Sequence, residues 1–129
     1  MLQVEVVSPE AIRYSGEATM VVARTVEGGD IAFQTGHVPF LGVLQIHQAK
    51  VIRADGEDRF ALHRGFVEVS GERVTILSDM AEAADEIDIA RADAAKQRAT
   101  EALAADESDE EAAQALERAN IRLLVSAGD

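Results

Sequence analysis

With 129 residues, no cysteine and a formal net charge of −12, the chain has the length of one domain plus a small appendage, and it has neither disulfides nor thiolate chemistry. Residues 1–80 carry 7 Lys/Arg against 11 acids and residues 81–129 carry 5 against 13, so the acidity is concentrated at the end of the chain. That balance argues against nucleic acid or anionic lipid as a partner and leaves protein, or an anionic ligand met by a local cluster of arginines. Met1-Leu2-Gln3-Val4-Glu5-Val6-Val7 has no basic flank, and no stretch approaches the ~20 apolar residues of a membrane span, so the expectation is a soluble intracellular protein.

The first eighty residues read as strands. Val4-Glu5-Val6-Val7 opens and Ser8-Pro9-Glu10 turns. Ile12 to Glu17 then alternates apolar and polar residues before Met20 to Thr25. Glu27-Gly28-Gly29-Asp30 breaks the pattern, and Ile31 to Gln34, Phe40 to Leu44 and Ala49 to Arg53 follow. Ala54-Asp55-Gly56-Glu57 is a strong hairpin signal, because Asp-Gly accepts the positive φ of a type I′ turn. Phe60 to His63, Phe66 to Val69 and Val74 to Leu77 complete the set, separated by Arg64-Gly65 and Ser70-Gly71-Glu72-Arg73. Short strands at this spacing, with helix signals only at the end, predict a β-then-α architecture: an antiparallel sandwich or flattened barrel followed by helices. The two prolines, Pro9 and Pro39, both fall between strands, and the boundary lies near Met80-Ala81, giving units 1–80 and 81–129.

Glu82 to Leu124 reads as two helices folded back on each other. Asp85 is the expected cap of the first, with Asp88 adding negative charge at its start. Ser108-Asp109-Glu110-Glu111 has the S-x-x-E form of a capping box at the start of the second. The short connection through Ala104-Ala105-Asp106-Glu107 favours antiparallel neighbours. Ala92, Ala95, Ala99, Ala102 and Leu103 face Ala112, Leu116, Ala119 and Leu123 at the spacing of a buried stripe. A buried methyl contributes about 0.8 kcal/mol, and a leucine roughly two to three times that, so this alanine-rich hairpin is expected to be helical yet lightly attached.

Chemistry-bearing patterns are few. His37, His47 and His63 lack the clustered spacing of a metal site and read as loop or strand-end residues. Gly28-Gly29 and Gly36-His37 do not precede a helix, so turn chemistry explains them better than a phosphate cradle. Glu57 and Asp58 lie in a turn and read as solvated acids, and no catalytic or metal-binding residue is assigned. In the hairpin, Asp88 with Arg91 and Arg98 with Glu101 have the i, i+3 spacing of surface ion pairs. Arg118 and Arg122 repel each other and have no acid four residues before them, so compensation must come from outside their helix. Antiparallel closure would bring Arg91 level with Arg122 and gather three or four guanidiniums. Those could meet acids of the first helix or an anion with several phosphates. Spacing alone favours the ion pairs.

Several stretches together resemble one known family, the epsilon subunit of the bacterial and chloroplast F-type ATP synthase. Gly29-Asp30-Ile31-Ala32-Phe33-Gln34-Thr35-Gly36-His37-Val38-Pro39-Phe40-Leu41 is similar to its G-D-I-G-I-L-P-G-H-A-P-L-L signature. His63-Arg64-Gly65-Phe66-Val67-Glu68-Val69 is similar to its H-G-G-F-V-E-V, and Val74 to Leu77, Ala81-Glu82 and Glu86-Ile87-Asp88 resemble the run into its helices. Ala32, Thr35 and Arg64 depart from the usual Gly, Pro and Gly. The resemblance implies a ten-stranded antiparallel β-sandwich followed by a C-terminal two-helix antiparallel hairpin. It implies a non-catalytic rotor subunit that binds the gamma subunit and the c-ring, at the cytoplasmic face of the bacterial plasma membrane or the stromal face of a thylakoid. The hairpin would permit turnover when folded down, and would block ATP hydrolysis when extended into the alpha/beta head. Ile87-Asp88-Ile89-Ala90-Arg91-Ala92 matches the I/L-D-x-x-R-A motif of members that bind ATP as a regulatory ligand. By that resemblance Arg91, Arg118 and Arg122 would meet phosphates, Glu82, Ile87, Asp88 and Ala92 would surround the adenosine end, and Arg98 is an accompanying position. The competing readings are a free-standing β-sandwich adaptor with a helical arm, and an independent enzyme, for which no nucleophile–base pair, metal cluster or phosphate loop speaks.

Overall fold

The computed structural model describes residues 1–128. Eight strands come first: β1 (Leu2–Ser8), β2 (Ala11–Ala18), β3 (Met20–Thr25), β4 (Gly29–Gln34), β5 (Phe40–Arg53), β6 (Gly56–Ser70), β7 (Arg73–Ser78) and β8 (Ala81–Ala83). A 3₁₀ turn (Ala84–Glu86) leads into α1 (Ile89–Ala105) and α2 (Glu110–Ala127). The strands form one hydrogen-bonded sheet in the order β2-β1-β7-β6-β5-β3-β4, with β8 on the edge of β6 beside β7. β1 and β3 are far apart in that order, yet Leu2, Val4 and Val6 share a core with Val21, Ala23, Phe33 and Val51. The sheet therefore folds over itself into an unclosed sandwich.

Two features depart from the all-antiparallel, ten-stranded expectation. β1 pairs with β7 in parallel, Val4 opposite Val74 and Val6 opposite Ile76. The strand count is eight because β5 and β6 run unbroken for 14 and 15 residues. The missing boundary is still visible as a fault within them. Their pairing runs to Leu44 opposite Gly65, resumes at Ile46 opposite His63, and omits Gln45 and Arg64. There the backbone turns left-handed, with φ 66° at Arg64 and 136° at Gly65, and a side chain at Gly65 would run into the Leu77 carbonyl. Core-facing residues switch parity across the fault, from Phe60 and Leu62 to Val67 and Val69. The four segments expected over these stretches are thus two bent strands. β8 was missed because three residues of Ala-Glu-Ala show no period, and it carries the sheet past Met80.

The hairpin follows the expected outline with different caps. Asp88, not Asp85, caps α1, its Oδ1 accepting from the Arg91 amide at 3.1 Å, while Asp85 lies in the 3₁₀ turn. Asp109, not Ser108, caps α2 by accepting from the Ala112 amide at 3.0 Å. Ser108 donates both its hydroxyl (2.6 Å) and its amide (3.0 Å) to Asp106, so no capping box with Glu111 forms.

Ala92 and Ala99 are buried on α1, as are Ala112 and Ala119 on α2, where the helices meet, and Ala95, Ala102, Leu103, Leu116 and Leu123 are half-buried. Docking onto the sheet falls to α2, which touches β5 and β6. Ile121 and Val125, outside the expected stripe, meet Ile46 and Ala61, with Ala84, Ile87 and Leu124 around them. This second face explains why Phe60, Ala61, Leu62 and His63 are buried in succession: that part of β6 has the core on one side and α2 on the other.

Candidate functional site

Where α2 crosses the sheet, apolar docking gives way to a polar contact. Glu82 is the middle residue of β8 and pairs with Ala61 of β6. One of its carboxylate oxygens, Oε1, accepts from Nε2 of His63 at 2.9 Å and from Nε of Arg122 at 2.7 Å. Arg122 follows the docked Ile121 directly, so the apolar seam delivers it to this place. His63 is 6% exposed, and its backbone amide donates to the Met80 carbonyl at 3.0 Å and to Ser78 Oγ at 3.2 Å. The Glu82 carboxyl falls to about 2, because the His63 bond, with Arg122 adding a hydrogen bond and charge, favours the ionised form more than burial opposes it.

Beside this contact lies a cleft of about 320 Å³ between the helices and the end of β8, lined by Glu82, Glu86, Asp88, Arg91, Ala92 and Arg122 among others. Its three acids are all engaged. Glu86 pairs with Arg13 at 3.2 Å and accepts from the Ala83 amide at 3.2 Å, Asp88 caps α1, and Glu82 holds Arg122. The Asp88–Arg91 ion pair expected from spacing is absent, because the cap uses the carboxylate on the backbone instead. Arg91 is exposed and has no ion pair among the described residues, which leaves it as the uncommitted cation of the cleft.

Five of the eight sequence-indicated residues therefore line one cleft: Glu82, Asp88, Arg91, Ala92 and Arg122. Ile87 instead joins the docking seam. Arg118 does not line it and bonds Glu111 at 3.1 Å, seven residues back in α2 itself, so for Arg118 the expected compensation from outside its helix is replaced by an intrahelical partner beyond the i, i+4 spacing. Arg98 lies on the exposed side of α1 and forms no ion pair with Glu101 among the described residues. Two guanidiniums gather here, not three or four. His63 and Glu86 were missed, and for His63 the available signal was its place at the end of an unbroken buried run.

Elsewhere, exposed apolar side chains make a ladder across the outer face of three neighbouring strands: Val43 lies opposite Phe66, and Phe66 opposite Leu77. Leu41 extends it. A row of large apolar residues open to water is the kind of surface that a protein partner can cover. Among the described residues, no group of three or more His, Asp or Glu is arranged to hold a metal, and no helix is long and apolar enough to cross a membrane.

Comparison with known proteins supplies the family. A family model described as the beta-sandwich domain of the ATP synthase delta/epsilon chain matches residues 1–84. The chain is 38% identical over 126 residues to the ATP synthase epsilon chain of Shouchella clausii, covering 97% of this chain and 94% of that one. It is 41% identical over 123 residues to that of Streptomyces griseus, with 95% and 92% covered. Among solved structures, a chain of the Euglena gracilis mitochondrial ATP synthase (OSCP/F1/c-ring) has the same fold at a TM-score of 0.82 and 20% identity, over 98% of this chain and 81% of that one. With a family model covering its sandwich and relatives aligned along nearly its whole length, the chain belongs to the ATP synthase delta/epsilon family, as a non-catalytic subunit of the epsilon type.

Proposed function

We propose that the chain works in the central stalk of a proton-translocating F-type ATP synthase, its sandwich held against the gamma subunit and the c-ring and its hairpin serving as a regulator that senses ATP. The Val43–Phe66–Leu77 ladder supports the first part, since a stalk subunit needs an apolar face for its neighbours. Such a protein is placed at the membrane by its complex, on the cytoplasmic face in a bacterium.

The observation that carries the regulatory part is the cleft. Arg91 stands uncommitted in the same cleft as Arg122, whose guanidinium is held by one oxygen of Glu82 and touches Met80 Sδ at 3.5 Å. Phosphates entering the cleft would take both guanidiniums in charge-assisted bonds and brace the helices in the docked position. At about 320 Å³ the cleft is at the small end of ligand sites, which run roughly 300–1,000 Å³, so part of a nucleotide would extend past its rim. When the nucleotide leaves, the hairpin is free to extend toward the alpha/beta head and block hydrolysis.

Isothermal titration of the purified chain with ATP is expected to give saturable heat, lost in Arg91→Ala and Arg122→Ala. No heat in the parent chain removes the nucleotide claim and leaves the stalk claim standing. That claim is tested by co-purification with gamma, which Phe66→Asp is expected to abolish.

A further inference from the structure

The geometry points to His63 as a positioning residue: from inside the sheet it aims the Glu82 carboxylate at α2, and so sets whether Arg122 latches the hairpin down. This inference rests on the hairpin being a releasable arm and does not depend on nucleotide binding. Among the described residues His63 forms no hydrogen bond to α1, and it does not line the arginine cleft. Its ring is 6% exposed, with Nε2 on Glu82 and Nδ1 without a partner among the described residues. A buried imidazole with one polar contact directs all of its hydrogen bonding into that contact.

The contact falls on the oxygen that Arg122 uses. Glu82 Oε1 accepts at 2.9 Å from the sheet and at 2.7 Å from the helix, so the carboxylate bridges an element that stays and an element that leaves. Glu82 sits on β8, a three-residue strand at a sheet edge, where a glutamate side chain has ample rotational freedom. Without a donor behind it, that side chain would turn to water. His63 is itself fixed, because its amide is shared between the Met80 carbonyl and Ser78 Oγ, and Ser78 Oγ donates in turn toward the Arg64 carbonyl at 2.6 Å. The other charged groups facing Glu82 are Arg122 of α2, Arg91 and Asp88 at the start of α1, and Glu86 of the 3₁₀ turn. Of these only Arg122 bonds it among the described residues, and Arg122 belongs to the helix that leaves, so on the sheet side the carboxylate is held by His63.

The test is a double-mutant cycle read by hydrogen exchange of α2 amides in the nucleotide-free chain at neutral pH. His63→Leu fills the space without a donor, and His63→Gln keeps a donor. The leucine variant is expected to open α2 about tenfold more often and the glutamine variant to stay within about threefold of the parent, as for one charge-assisted hydrogen bond. In an Arg122→Ala background, where the latch is already gone, His63→Leu is expected to add nothing. A leucine variant as protected as the parent overturns the inference. So does an undiminished leucine effect in the Arg122→Ala background, since that would be packing alone. If His63→Leu does not fold, His63→Ala replaces it in the same cycle, with the same expected tenfold effect and the same two refuting results.

Discussion

Val125→Ala probes how firmly the hairpin is held. Val125 is fully buried in a seam whose other buried members are Ile121 on the same helix and Ile46 and Ala61 on the sheet. Removing two of its carbons forfeits about 1.6 kcal/mol of transfer free energy at ~0.8 kcal/mol per buried carbon. A cavity term brings the total to roughly 1.6–3 kcal/mol. Since 1.4 kcal/mol is about tenfold, α2 amides are expected to exchange roughly 10- to 100-fold faster. The reciprocal substitution is the sharper half of the assay. Ile76 lies at 0% exposure in the sandwich core, away from the seam. Ile76→Ala is expected to cost the sheet about 2–5 kcal/mol and leave α2 exchange unchanged, because the hairpin opens without the sheet unfolding. If Ile76→Ala accelerates α2 and the sheet together by the same factor, the two halves unfold as one unit and the releasable-arm reasoning is wrong.

Docking is also expected to weaken in acid. The Glu82 carboxyl is held at about 2 in the docked state, below its usual 4.5, so its contribution is fully present above the usual value and is lost as the pH falls toward 2. Because the chain has no native cysteine, paired labels at Glu10→Cys and Gln97→Cys can report this by energy transfer, and a docking signal flat from pH 5 to pH 3 would count against the Glu82 latch. Arg64→Gly relieves a left-handed backbone at a non-glycine residue and is expected to stabilise the fold by about 1 kcal/mol, visible as a rise of several degrees in Tm; a fall in Tm contradicts it. Asp109→Ala is expected to cost about 1 kcal/mol in thermal melts and Ser108→Ala distinctly less, the reverse of the order a Ser108 capping box would give.

Legibility in the sequence followed the range of each physical signal. Alternation in Val4 to Val7 and Val74 to Leu77 is a two-residue signal, and those strands lie where it places them. The left-handed step at Arg64-Gly65 appeared as a break between strands, because a glycine there reads the same whether the chain turns or merely bends. Asp88 and Asp109 were present in the cap regions, but which neighbouring side chain takes the free amide depends on local turns such as the one Ser108 makes with Asp106. The alanine stripe placed the contact between the helices, whereas the seam through Ile121 and Val125 depends on which face the sheet covers. At the cleft, the unmet charge of Arg122 correctly demanded a partner outside its helix. Naming that partner needed the fold, since Glu82 is forty positions away in the sequence and reaches Arg122 through the strand pairing of β8. His63 was hidden for the same reason, its partner being on a strand with no sequence period.

Exchange of the α1 and α2 amides with and without ATP tests most directly whether a nucleotide decides where the hairpin rests. With ATP at a hundred times its dissociation constant, ligand linkage is worth about 2.7 kcal/mol. Hairpin amides are then expected to slow by about a hundredfold, and Arg122→Ala is expected to remove the effect. Hairpin exchange that is identical with and without saturating ATP would contradict the regulatory account.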